Sequence, residues 1–411
     1  MERMSQKVYD VVVIGAGPAG SMAAYYLADR GFTVAVIEKE NFPRYKPCGG
    51  GLTHRTLKLF PFSLDSVIET EIYNFRFSKN FKNAYTRHSD EPLMYCLMRD
   101  KFDNFLINNA VSKGADFFQG TRVTGLTESF DQVLVHTSEG EFSASFVIGA
   151  DGASSITART FLLTGHVKKG IAIESEVKVS DEDFERFKNT VYLDWGTFIR
   201  GYAWIFPKGD HLSIGVGGPA KLSKYLKDYF FKFLESLEIK DLTMMSFRTN
   251  PIPYRSGYDR IQAGRVLLIG DAAGFTDPMT GEGIYYAVKS AGIASETIIS
   301  FLDGTTNHPF DYRKNVEAEV VSELLAAYPL LKIFNSAPGL IHKKLGTSER
   351  LWRGFRKVLR GDITYNDFKM RFGRYQFIWN PIIKLATIIE KFKRTNFKFV
   401  HEKKVKKEAG S

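Results

Sequence analysis

Apolar residues follow two rhythms along this chain. Short unbroken runs rich in β-branched residues end at glycines or acids: Val11-Val12-Val13-Ile14, Phe32-Thr33-Val34-Ala35-Val36-Ile37, Phe146-Val147-Ile148 and Val266-Leu267-Leu268-Ile269. Such runs predict buried strands of a largely parallel sheet. Helical spacing follows over Ser21–Ala28, over a stretch opening at Leu97-Met98-Arg99 with Asp100 as N-cap and closing near Gly114, and over a long stretch from about Ile284. Strict alternation appears elsewhere: weakly over 71–95, then over Ile171–Val177, Thr190–Trp195, Gly201–Pro207 and His211–Gly217, the signature of short antiparallel strands. From about 312 the pattern is helical, with breaks expected at Pro329, Pro338 and Gly361. The fold class predicted is α/β with α+β character. It comprises a discontinuous Rossmann-like domain (1–70, 96–165 and 255–310), a mostly antiparallel domain (71–95 and 166–254) and a C-terminal helical region (311–411).

The first strand runs into Gly15-Ala16-Gly17-Pro18-Ala19-Gly20, a helix pattern, and a second strand ending at Glu38. This is the order of a βαβ dinucleotide fingerprint. Gly15 serves the tight turn, Gly17 the close approach of a pyrophosphate, and Gly20 the contact of helix with strand. The pyrophosphate is expected on the helix N-terminus, and Glu38 on the ribose hydroxyls.

Composition changes this picture little; charge changes it more. The 411 residues are 44% hydrophobic, enough for two or three domains with a real core. No run approaches the length of a membrane-spanning helix. The first strand begins too early to leave room for a signal peptide, and two cysteines, Cys48 and Cys96, suit a reducing compartment. A cytoplasmic location is expected. The eight histidines show no ligand spacing, so no metal site is expected. The net charge of +10 is unevenly spread: Ile341–Ser411 carries 19 Lys+Arg against 6 Asp+Glu, leaving the first 340 residues at −3. Basic and aromatic residues interleave there, at Trp352-Arg353-Gly354-Phe355-Arg356-Lys357 and again over Lys391–Phe399. An anionic membrane surface on the inner face of the cell is the favoured partner for this region, ahead of nucleic acid, with a plain solvated helical face as the competing explanation.

Three further stretches carry candidate chemistry. Lys46-Pro47-Cys48-Gly49-Gly50-Gly51 is a loop beyond the second strand, on the ligand-binding edge of such sheets; Cys48 is either a loop thiol or an active-site group. Tyr202, Trp204 and Phe206 share one face of a strand, as core or as the wall of an apolar pocket. Gly270-Asp271 ends a buried strand, and the loop to Gly281-Glu282-Gly283 precedes a helix N-terminus suited to a partly negative ring edge.

Taken together these segments resemble the two-domain FAD-dependent oxidoreductases of the aromatic-hydroxylase type, and within them the geranylgeranyl reductases. The resemblance rests on the fingerprint with Glu38, on Arg99, on Asp151-Gly152, and on Gly270-Asp271 through Pro278 to Gly281-Glu282-Gly283. The narrower likeness rests on the Cys48 loop and on Tyr202-Ala203-Trp204-Ile205-Phe206-Pro207. It implies non-covalent FAD held by Gly15, Gly17, Pro18, Ala19, Gly20, Glu38, Lys39, Cys48, Gly49, Gly50, Arg99, Val123, Asp151, Gly152, Asp271, Pro278, Gly281, Gly283 and Ile284. It implies a prenyl lipid against Tyr202, Trp204 and Phe206. Saturation of a prenyl double bond requires hydride from reduced flavin and a proton. Cys48, Tyr202 or a water is the expected acid, and Tyr202 with Trp204 would steady positive charge by roughly 0.5–2 kcal/mol. No second dinucleotide fingerprint is present, so NAD(P)H or a ferredoxin-type redox partner is left as electron donor. The competing reading on the same fold is a flavin monooxygenase or halogenase.

Overall fold

The computed structural model describes residues 8–196, 201–306 and 311–373, and Pro381. Its centre is a sheet of eight strands. Five of them run parallel in the order Val266–Leu268, Gly140–Gly149, Val8–Ile14, Val34–Ile37 and Asp116–Phe118. The chain leaves Val8–Ile14 toward one side and later returns on the other, so its carboxyl end is a switch point of the kind that binds ligands. Helices Pro18–Asp29, Arg99–Ser112 and Ile284–Leu302 cover one face, and their apolar sides form the largest core cluster with the strands. The run Phe146-Val147-Ile148 lies inside a longer, ten-residue strand, Gly140–Gly149. The Arg99 helix has Met98, not Asp100, at its N-cap; Asp100 stands in the first turn.

The second sheet has the order Leu242–Met244, Val167–Val179, His211–Pro219, Tyr202–Lys208, Thr190–Trp195, Asn74–Lys79 and Lys82–His88, with Arg248–Arg255 also paired to Val167–Val179. All pairings are antiparallel except one, Thr190–Trp195 alongside Asn74–Lys79. A small sheet of Gly51–Thr53, Ile68–Ile72 and Met94–Leu97 stands at the junction.

The described part of the C-terminal region is helical: Ser322–Ser336, Pro338–Thr347, Glu349–Arg360 and Tyr365–Gly373. Pro338 opens a helix and Gly361 ends one in the left-handed conformation. Pro329 does not break its helix. It lies inside Ser322–Ser336, where burial of Leu324, Ala326 and Ala327 outweighs one missing backbone donor. These helices are bonded to the second sheet: Tyr85 donates to the His342 carbonyl (2.9 Å), and the Trp352 indole to the His88 carbonyl (3.0 Å). The stretch Lys391–Phe399 lies outside the described residues. Among the described residues no single helix is long and apolar enough to cross a membrane; the pair Tyr312–Ser336 and Pro338–Thr347 passes only jointly, and it is bent by 98°.

Candidate active site

One cleft of about 3550 Å³ runs from the fingerprint turn, across the face of the second sheet, to the C-terminal helices. Its two ends are built differently.

At the nucleotide end the backbone makes the site. Gly15 has φ +101°, and a Cβ at Gly20 would fall 1.8 Å from the Gly15 carbonyl oxygen, so helix and turn can meet only through glycine. A Cβ at Gly17 would meet nothing within 4 Å; it would stand in open cleft at a helix N-terminus that no side chain caps. Both features fit a pyrophosphate. Glu38 is buried and fixed: one oxygen accepts the Ala16 N–H (2.9 Å), the other the Glu40 N–H (3.0 Å). Pro18, Ala19, Lys39, Val123, Asp151, Gly152, Asp271, Pro278, Gly281, Gly283 and Ile284 all line the same cleft, as do Cys48, Gly49, Gly50 and Arg99. The helix Ile284–Leu302 also starts without a side-chain cap or an acid in its first turn. Asp151 is occupied locally: it accepts from Ser155 Oγ (2.6 Å) and from the Ile156 and Thr157 N–H groups (2.7 and 3.1 Å), so its carboxylate shapes the turn that follows Gly149.

The middle of the cleft is where the Cys48 loop meets the aromatic strand. A Cβ at Gly49 would lie 2.6 Å from the Phe206 ring and 3.0 Å from Trp204 Nε1; one at Gly51 would lie 2.7 Å from Met94. The glycine run is thus what lets the loop lie on Trp204 and Phe206. The Gly50 N–H donates to Cys48 Sγ (3.4 Å), and the Arg99 guanidinium also reaches that sulfur. Arg99 makes a two-pronged ion pair with the buried Asp103 (2.8 Å each), which Arg44 shares at 2.8 Å. Tyr202 and Trp204 stand 5.8 Å apart, and Trp204 and Phe206 6.4 Å. The Tyr202 hydroxyl donates to the Thr280 carbonyl, and burial pushes its pKa up. Burial thus makes Tyr202 a weaker acid than an ordinary phenol.

Cross-strand neighbours share a face. Glu174 lies opposite Gly215, and Gly215 opposite Trp204. Because Gly215 has no side chain, the Trp204 ring extends over it: a Cβ there would come within 2.1 Å of the ring. The pKa values of two carboxyls on this strand are shifted in opposite directions. Burial raises the Glu174 pKa although Tyr45 donates to it (2.6 Å). Glu176 is held low, since its bonds to His211 (3.3 Å) and the buried Lys208 (2.7 Å), with the charge on each, outweigh its burial. Lys208 also donates to the Cys48 carbonyl (3.4 Å), which anchors the loop from below. The sequence reading omits all of these except as strand residues. A Glu-x-Glu in an alternating strand is the one signal that could have flagged them, since it places two acids on one face.

At the far end Val191, Leu193, Trp195, Phe75 and Phe77 continue the same face, and Phe334, Leu345 and Phe355 from the C-terminal helices close over them. Trp195 meets Phe334 at 5.1 Å, and Phe77 meets Phe355 at 5.7 Å. A second buried cluster ties this roof to the cofactor loop: Arg55 pairs with Glu282, and Tyr365 donates to Asp277 (2.7 Å), whose pKa is raised by burial.

Parallel sheet, fingerprint turn and two-part cleft define an FAD-dependent oxidoreductase, and the FAD binding domain family matches residues 8–196. An uncharacterized protein of Methanosarcina barkeri is 36% identical over 80% of this chain and 85% of its own. The digeranylgeranylglycerophospholipid reductase of Methanocaldococcus jannaschii is 32% identical over 70% of this chain and 76% of its own. A solved structure described as geranylgeranyl bacteriochlorophyll reductase-like, from Thermoplasma acidophilum, superposes with a TM-score of 0.72 at 25% identity, covering 80% of this chain and 88% of that one. The chain belongs to the geranylgeranyl reductase family of FAD-dependent oxidoreductases.

Proposed function

We propose that this enzyme saturates C=C bonds in the geranylgeranyl chains of a membrane lipid of the digeranylgeranyl-glycerophospholipid kind. The observation that carries this reading is the continuity of the cleft: the cavity lined by the fingerprint turn is lined farther along by Trp204, Leu193, Trp195, Phe75 and Phe77, an apolar face suited to a prenyl chain. Burying a prenyl chain there is favoured by roughly 25 cal/mol for each Å² of apolar surface removed from water. The groups that would hold FAD are the fingerprint turn, Glu38, Arg99 and the Asp271–Ile284 loop.

The chemistry that reduced FAD supplies is hydride. The remaining tasks fall to side chains of this chain. One alkene carbon takes the hydride, the other takes a proton, and the product gains two hydrogens. Glu174 holds that proton: its carboxyl is buried, is kept neutral over a wider pH range than an ordinary carboxylate, and stands on the face shared with Trp204. Tyr45, bonded to Glu174 and 3.1 Å from Ser246, connects it outward. Trp204 offers its ring face to the carbon that becomes electron-poor. The Cys48 loop covers the site and excludes water. NAD(P)H or a ferredoxin supplies the electrons.

The test is anaerobic. The protein is purified yellow, reduced with dithionite, and mixed with a geranylgeranyl lipid. The expected result is flavin reoxidation with lipid mass rising by two hydrogens per step. Reoxidation only with oxygen and an aromatic substrate would replace this reading by a monooxygenase.

A further inference from the structure

We propose that the exposed cationic face of helices Pro338–Thr347 and Glu349–Arg360 docks the protein on an anionic phospholipid surface, with the apolar end of the cleft opening toward it. The inference deepens the prenyl-lipid reading and rests on it for the reason that end should meet lipid.

The two helices carry Lys343, Lys344, Arg350, Arg353, Arg356, Lys357 and Arg360 against a single acid, Glu349. Glu349 is taken by Arg87 and by Arg356 (3.7 Å), and Arg360 pairs with Glu91 (2.8 Å). Five cations keep no carboxylate partner among the described residues. All five are exposed. Arg350, Arg353 and Lys357 recur at helical spacing and form one stripe. With Lys344 they line the cleft where Leu340 and Leu351 stand 40% and 38% exposed.

The opposite side of Glu349–Arg360 is committed. Trp352 is buried, and Phe355 packs on Phe75 at 5.2 Å. The aromatic half of the basic-aromatic pattern over 352–357 is therefore core, and only its cations face outward. A helix held in this way cannot roll its rings into a bilayer, so the contact is electrostatic and shallow. Anionic headgroups complement it, whereas a neutral surface offers these cations nothing. The first 340 residues are net acidic, so the chain's positive charge is concentrated in its C-terminal part, to which these helices belong.

The experiment uses the full-length yellow protein and sedimentation with vesicles of phosphatidylglycerol and phosphatidylcholine, against vesicles of phosphatidylcholine alone. Binding to the anionic vesicles only, lost as salt is raised, is expected. The triple variant Arg350→Gln/Arg353→Gln/Lys357→Gln should bind about 100-fold more weakly, at roughly fivefold per cation near such a surface. Its flavin spectrum and circular dichroism should be unchanged. Equal binding of variant and parent to anionic vesicles would overturn the proposal, and so would parent binding that ignores lipid charge. Tighter binding to duplex DNA than to vesicles, lost in the same variant, would overturn it in favour of a nucleic-acid surface. Charge-dependent vesicle binding without reduction of any prenyl chain in detergent would leave the docking face standing and remove the prenyl reading.

Discussion

The two ends of the cleft do opposite things with glycine. At the nucleotide end Gly15, Gly17 and Gly20 let main chain approach main chain and leave room for a ligand. Where the cleft passes the aromatic strand on its way to the chain end, Gly49, Gly51 and Gly215 let aromatic side chains lie where a Cβ would otherwise be. The first end is a site made of backbone N–H groups and a helix terminus. The second is a wall of rings gathered from strands far apart in sequence. The difference teaches which part of the enzyme is separable: cofactor binding and prenyl handling should fail independently.

The largest effect should come from Gly20→Ala. Its Cβ meets the Gly15 carbonyl oxygen, a backbone atom that cannot swing aside. A stability loss of about 3 kcal/mol is expected from such overpacking, with little or no FAD retained after purification. Gly17→Ala sharpens the point, because nothing in the protein opposes its methyl. Its unfolding midpoint should match the parent's while its FAD affinity falls. Thermal unfolding and flavin absorbance together separate the two variants.

At the chain end Glu174→Gln should leave flavin binding intact and slow prenyl reduction by about 100-fold, the usual scale for a positioned acid. The sign of the pH effect follows from burial, which raises the Glu174 pKa. The protonated, active form persists above the ordinary carboxylate range, and the rate falls as pH rises through the folded-state value. Whatever stability the neutral carboxyl contributes is lost in the same direction. The Gln variant should lose that limb of the pH–rate profile. An unchanged profile would return the acid role to Cys48 or a water. Gly215→Ala is the companion change: displacing the Trp204 ring should cost about 1–3 kcal/mol and abolish lipid reduction, while dithionite still bleaches the flavin normally.

The same contrast explains what could be read from the sequence. Gly15-Ala16-Gly17-Pro18-Ala19-Gly20 and Glu38 are legible because a backbone-built site must place particular residues at fixed local spacing. The alternating strand holding Tyr202, Trp204 and Phe206 is legible for the same local reason. Glu174 is not, since its meaning lies in two register steps across Gly215 to Trp204, and register is set by the folded sheet. Pro329 was misleading because packing of Ala326 and Ala327 decides its helix, not the proline alone. Trp352 and Phe355 sit in a basic stretch that suggests a surface, yet the rings are consumed by Phe75 and Phe77, residues some 280 positions earlier.

The smallest expected effect tests the join between the two ends. Tyr202 belongs to the aromatic wall by its ring and to the cofactor loop by its hydroxyl, which donates to the Thr280 carbonyl. Tyr202→Phe keeps the ring and removes only that bond. A loss of about 1 kcal/mol in stability is expected, the net worth of one such hydrogen bond. Prenyl reduction should fall less than about tenfold, because a hydroxyl already given to a carbonyl, with its pKa raised by burial, is a weaker acid than an ordinary phenol. A drop as deep as that of Glu174→Gln, accompanied by loss of the same pH limb, would mean that the hydroxyl leaves Thr280 during the reaction and carries the proton itself.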